Sequence, residues 1–228
     1  MSKKKLLSLS LVVIMIAILS LSSLAWFNDS DSVKNEFHIA TSDDPSNPDD
    51  IFSVDLWEPV DEDGDGTPEK EQVGLEFENI LPGSTFDKKP TVENTGAYDQ
   101  YIRVVVTLSD ANAWVEALGY GYDLSTIFVG HDETLWTRSQ GSHVGDELVY
   151  VYYLNEVLEP GKTAVLFEQV KLPTSLTQEQ MAKLNGSFEL TIRADAIQTE
   201  NLGEGVDTAA EAFAAANWGS IDNTEPQP

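Results

Sequence analysis

Along most of the chain, apolar residues recur at every second position. Tyr101 to Leu108 carries the pattern most clearly. Ile102, Val104, Val106 and Leu108 share one face, and Tyr101, Arg103, Val105 and Thr107 share the other. β-Branched and aromatic enrichment makes this a strand rather than a helix. Ser187 to Gln198 repeats the pattern, with Phe188, Leu190, Ile192, Ala194 and Ala196 inward and Glu189, Thr191, Arg193 and Asp195 outward. Further strands are predicted over Ile51 to Trp57, Val73 to Ile80, Phe86 to Glu93, Glu147 to Leu154 and Thr163 to Leu172. Glu159-Pro160-Gly161-Lys162 reads as the turn before the last of these, with proline presetting φ. One dry face and one wet face mark antiparallel sheets packed as a sandwich, here of roughly eight or nine strands.

Three short helices interrupt. Asp110 to Leu118 follows Ser109 as a candidate cap. Gln178 to Leu184 follows Thr177, with Gln180 completing a capping box and Gly186 beyond its end. Asp207 to Trp218 is alanine-rich, with Asp207 as the expected cap and Gly219 as the stop. No fixed-period repeat and no internal domain boundary is visible, so residues 42–219 read as one mainly β domain.

The two ends read differently. Lys3-Lys4-Lys5 precedes an uncharged run from Leu6 to Leu24, the charged and apolar regions of a secretory signal peptide. Small residues Ser23 and Ala25 place the cleavage site between Ala25 and Trp26, giving a signal over residues 1–25. The alternative is an uncleaved anchor, since about 20 apolar residues span a bilayer. Serines at 8, 10, 20, 22 and 23 dilute the run and favour cleavage. Residues 26–41 form an N-terminal segment whose end, Glu36 to Thr41, alternates like a strand. The tail, residues 220–228, is acidic with two prolines and reads as disordered.

Charge narrows the partners. The 228-residue chain has 13 Lys+Arg against 39 Asp+Glu, a formal net charge of −26. Loss of the signal, with its three lysines, takes this to −29. Such a surface repels nucleic acid and anionic lipid and favours divalent cations. There is no cysteine, so an exported chain of this size is held by its core, by metal or by assembly. Thiol chemistry and iron–sulfur clusters are excluded.

The sharpest local motif is Asp61-Glu62-Asp63-Gly64-Asp65-Gly66-Thr67-Pro68-Glu69. Carboxylates at alternate positions, followed by glycine, can surround one cation. Asp61, Asp63, Asp65, the Thr67 carbonyl and Glu69 are the candidate Ca²⁺ ligands, in a structural role. Pro68 and Gln72 depart from the EF-hand pattern. A solvated acidic turn between two strands explains the same residues and stays open beside the calcium reading.

Catalytic signatures are missing from the sequence. His38, His131 and His143 lie far apart, without His-Glu-x-x-His spacing, although His131-Asp132-Glu133 is a cluster of ligand types. No Gly-x-Ser-x-Gly elbow appears, and with 39 acids no carboxylate pair stands out. Trp57, Trp114, Trp136 and Trp218, with Tyr150, Tyr152 and Tyr153, are candidates for a carbohydrate platform, but core packing explains them more simply.

Three segments together carry a family resemblance. Leu24-Ala25-Trp26-Phe27-Asn28-Asp29 resembles the junction cut by SipW-type signal peptidases of Gram-positive bacteria. Leu81-Pro82-Gly83, then Lys89-Pro90-Thr91-Val92-Glu93-Asn94-Thr95-Gly96, then Tyr101-Ile102-Arg103-Val104, resembles the core of TasA/camelysin-like proteins. Ala194-Asp195-Ala196-Ile197-Gln198, followed by Ala209-Ala210-Glu211-Ala212-Phe213, is similar to their close. The resemblance implies a jelly-roll-like β-sandwich, secretion to the matrix or cell surface, processing by a SipW-type peptidase and self-association into fibres, alone or with other matrix components. It implies no membrane attachment after cleavage. Some relatives carry a metallopeptidase label, but no peptidase motif maps onto this chain, and the expectation is a non-enzyme. An adhesive or carbohydrate-binding module is the alternative.

Overall fold

The computed structural model describes residues 28–33, 53–60, 69–71, 80–139, 141–184, 188–200, 202 and 204–216. The predicted signal, its Ala25–Trp26 junction, the strands expected over 36–41 and 73–79, Trp218 and the tail lie outside them.

The protein is mainly β, an antiparallel sandwich with three short helices. The larger layer is a six-stranded sheet. Its path is β1 (Asn28–Val33), β13 (Leu190–Gln198), β6 (Gln100–Leu108), β10 (Glu147–Leu154) and β8 (Trp136–Arg138). β9 (Ser142–Val144) also pairs with β10. The opposing layer is two smaller sheets. One runs β11 (Thr163–Val165), β5 (Thr91–Asn94), β2 (Val54–Val60) and β3 (Glu69–Glu71). The other runs β4 (Thr85–Asp87), β12 (Gln169–Lys171) and β7 (Phe128–Val129). The chain crosses between layers after β1, β5, β6, β7, β10 and β12.

The alternation read from β6 and β13 sets the register. Ile192 faces Val106, Ala194 faces Val104 and Ala196 faces Ile102. These residues meet Leu56, Val92, Leu166, Phe167 and Val170 of the other layer in one buried core. Apolar area removed from water stabilises by about 25 cal/mol per Å², so this interdigitation is the main force holding the layers together.

Several expectations need correction. Thr163 to Leu172 is not one strand. Leu166 and Phe167 are wholly buried and break it into β11 and β12, which belong to different sheets. Two consecutive apolar residues cannot both point inward from a flat strand, so the backbone bends to bury the pair. Phe167 then stacks on Phe128 at 4.8 Å.

The helices also start differently. α1 (Ala111–Leu118) has no cap from Ser109, whose hydroxyl instead accepts from Glu189 N–H at 2.9 Å. Its free amides are met from a distant turn: Ala111 N–H donates to the Asp146 carbonyl and Asn112 N–H to Asp146 Oδ1. α2 (Gln178–Lys183) has the predicted Thr177–Gln180 capping box. α3 (Ala209–Ala215) is capped by Thr208 rather than Asp207, and Glu211 reaches back to the Thr208 hydroxyl and the Asp207 amide. Each such cap is worth about 1 kcal/mol.

The expected turn at Glu159–Lys162 forms, and Leu81–Ser84 makes a second Pro-Gly turn. Gly83 and Gly161 sit at φ 80° and 70°, where a side chain would be strained. Ser84 N–H donates to Leu81 O and Lys162 N–H to Glu159 O, closing turns with proline second and glycine third.

Candidate functional site: an end strand and a tyrosine-lined cleft

The predicted calcium ligands fall mostly outside the described residues. Asp61, Asp63, Asp65 and Thr67 lie there, and Glu69 opens β3 with its side chain exposed. β2 and β3 are antiparallel, and the ladder closes on Val60 opposite Glu69. The acidic motif therefore leads from β2 into its paired strand β3, and the strand expected from Val73 lies outside the described residues. Among the described residues, no three His, Asp or Glu side chains gather as metal ligands. His131 hydrogen-bonds the Leu166 carbonyl through Nδ1 and sits edge-on to Tyr152, while His143 lies on β9.

One residue of the segments that carry the family resemblance, Asn94, ties the fold together. Asn94 is fully buried, donates from Nδ2 to the Tyr98 and Leu158 carbonyls, and accepts from Gly96 N–H. Its own backbone pairs with Gly161 and Lys162. One asparagine thus ties the β5–β6 corner to the Glu159–Lys162 turn. Lys88, just before the Lys89-Pro90 step, is buried and forms an ion pair with Glu58 at 2.5 Å.

The outward face of β13 departs most from expectation. Asp195 was expected in water, but its side chain is 0 % exposed. Arg103, directly opposite on β6, donates to Asp195 Oδ2 from both Nε (3.0 Å) and Nη2 (2.7 Å). Arg193 adds a further hydrogen bond from Nη2 to Oδ2 at 3.3 Å, and its Nε lies 3.1 Å from Oδ1. α3 closes over this network, with the Phe213 ring 4.7 Å from the Arg103 guanidinium. Phe213, Ala209 and Ala212 join Tyr101, Ile197 and Leu202 in a second apolar cluster. Burial raises the Tyr101 hydroxyl above its ordinary value, with Asp207 and Glu211 adding to the effect.

β1 occupies the end of the six-stranded sheet. It pairs along its whole length with β13, from Asn28 opposite Ile197 to Val33 opposite Ile192. Twenty residues separate it from β2, a connection whose extended reach is about 70 Å.

Near the other end of that sheet lies a cleft of about 400 Å³, between α1, the loop 119–123 and the β8–β10 corner. Trp114, Tyr120, Tyr122, Asp123, Arg138 and Tyr150 line it. Gly119 and Gly121 at φ 91° and 89° shape the loop that carries the two tyrosines outward. Tyr120 is 96 % exposed and Tyr122 40 %. Below them, Arg138 Nη2 donates to Asp123 Oδ2 at 2.9 Å, and its guanidinium carbon sits 5.4 Å from the Tyr150 ring centre. Burial would raise the Asp123 carboxyl, but the Ser125 hydroxyl and amide, Arg138 and the Tyr150 hydroxyl together hold it below the ordinary range. Desolvation, reinforced by Asp123, pushes Tyr150 up to about 12. At neutral pH Asp123 is therefore a carboxylate and Tyr150 a neutral phenol.

Of this site, sequence reasoning named Trp114 and Tyr150 as platform candidates but not Tyr120, Tyr122, Asp123 or Arg138. Of the aromatics weighed as a platform, Trp114, Trp136 and Tyr152 are core residues, and Trp57 is half-buried with its Nε1 on Glu93. The available signal was Gly119-Tyr120-Gly121-Tyr122, two aromatics alternating with glycines that supply no cover. Comparison of the chain with protein-family models, curated proteins and solved structures finds no match.

Proposed function

We propose that this chain is a secreted, non-enzymatic structural subunit of extracellular fibres or biofilm matrix, released by a SipW-type signal peptidase and assembled by strand addition. The observation that carries the reading is β1. A terminal strand at the end of a sheet, on a long connection, can pair with its own β13 or with the same edge of a neighbour. Backbone hydrogen bonds give affinity in either case. Head-to-tail addition that does not close yields a filament. The motif resemblance and the exportable N-terminus support the same reading, and the acidic surface keeps free subunits apart until salt, acid or divalent ions screen it. Calcium held by Asp61, Asp63, Asp65, Thr67 and Glu69 would be one such ion, clamping the β2–β3 connection.

The chain has no cysteine, which makes a clean test possible. Asp29→Cys with Ala196→Cys places two thiols at directly opposed positions. Oxidised assemblies are expected to run as ladders of covalent multimers on non-reducing gels. Filaments holding only intrachain bridges would overturn strand addition. Removing residues 26–41 should abolish filaments in electron micrographs while circular dichroism still reports the β-sheet.

A further inference from the structure

We propose that the cleft between α1 and the β8–β10 corner binds a neutral glycan, with Tyr120 and Tyr122 stacking on a pyranose ring and the Asp123–Arg138 pair hydrogen-bonding its hydroxyls. Its volume of about 400 Å³ lies within the range of small-ligand sites, roughly 300–1,000 Å³. Its lining combines flat apolar faces with a few convergent polar groups, the usual make-up of such sites. Tyr120 stands in water on a loop shaped by the positive-φ glycines Gly119 and Gly121.

The chemistry of the lining selects the ligand class. An anion is disfavoured by a chain of net charge −26. A cation would seek the Tyr150 face and the Asp123 carboxylate, but Arg138 already holds both positions. A purely apolar ligand would take water from Asp123 and Arg138 without replacing its hydrogen bonds, a costly exchange. A sugar avoids all three objections. Its C–H faces suit tyrosine rings, and each hydroxyl both donates and accepts. Asp123 accepts, and Arg138 keeps further N–H groups beyond the one bound to Asp123. Trp114, 1 % exposed in the wall, has an indole N–H with no hydrogen-bond partner among the described residues, and a ligand oxygen reaching it would satisfy that donor.

This goes beyond the fibre reading and stands independently of it, because binding is measurable whether or not filaments form. The full secreted chain is titrated with β-1,4-linked glucose and N-acetylglucosamine tetrasaccharides, followed by calorimetry and tryptophan fluorescence. A uronic acid tetrasaccharide and choline form the charged arms. At least one neutral tetrasaccharide is expected to bind, and Tyr120→Ala is expected to weaken it about tenfold or more, equivalent to about 1.4 kcal/mol. Tyr122→Ala and Arg138→Gln should weaken it as well. Tyr98→Ala removes an exposed tyrosine outside the cleft and should leave it unchanged. Tyr120 is too exposed for its loss to unfold the domain, so an unchanged affinity in that variant overturns the proposal. Failure of both neutral probes, or binding of the uronate or choline alone, overturns it equally.

Discussion

The central strand β6 is buried along its whole length, yet its two faces are dry for different reasons. Toward the opposing layer it presents Ile102, Val104, Val106 and Leu108, and only apolar groups meet them. On the far side, Arg103 stands between Tyr101 and Val105, locked to Asp195 beneath α3. The first face is held by volume and tolerates chemistry that keeps volume. The second is held by pairing and tolerates nothing that leaves a charge alone. A buried ion pair contributes little net stability but penalises any arrangement that separates its members. In a sheet whose end strand is proposed to change partners, such a lock would fix the β6–β13 register while β1 is exchanged.

The largest effect should come from breaking the charged face. Asp195→Ala leaves Arg103 buried without its carboxylate and should cost about 3–5 kcal/mol in denaturant unfolding. Replacing both partners, Arg103→Met with Asp195→Leu, should recover most of that loss. If the double variant is as unstable as the single one, packing rather than pairing governs this face. On the apolar face, Ile192→Val removes one methylene opposite Val106 and should cost about 1 kcal/mol.

The smallest effect is a pH dependence confined to the charged side. Glu211 is held below its ordinary value by the Asp207 amide and the Thr208 hydroxyl. The unfolded chain therefore binds the proton first, and this contribution is complete above the ordinary carboxylate range and lost as pH falls through the folded value. Tyr101 is raised, so its contribution is present below about pH 10 and is lost as pH climbs past that toward its folded value. Hydrogen exchange at the Ala212 amide should be slowest, relative to its intrinsic rate, between these limits. Amides of β6 should show no matching loss of protection at mild acid.

How much was legible depended on how local the cause was. β6, β10 and β13 could be read because alternation is a property of the strand itself. The Thr177 capping box and the Glu159–Lys162 turn could be read because their partners lie within three residues. The cap on α1 could not, since Asp146 supplies it from 34 residues away. The split of Thr163 to Leu172 was half-visible in the adjacent Leu166 and Phe167, which break a two-residue period. The cleft was hidden because Asp123, Arg138 and Tyr150 come from three separate stretches and meet only when β8 and β10 pair.

By itself, the sequence determined that the domain is β-rich, antiparallel and acidic, where its main strands run and where the chain turns tightly. Those features follow from side-chain period, backbone φ preferences and charge count, which act within a few residues. Only the tertiary structure decided which faces are wet. A strand's alternation declares two faces, but Asp195 is dry where Arg103 pairs with it and Phe213 of α3, arriving from the C-terminal side, packs on that guanidinium. Tyr120 is wet because none of the described residues covers it. Burial is a property of the whole packed chain, and no local pattern carries it.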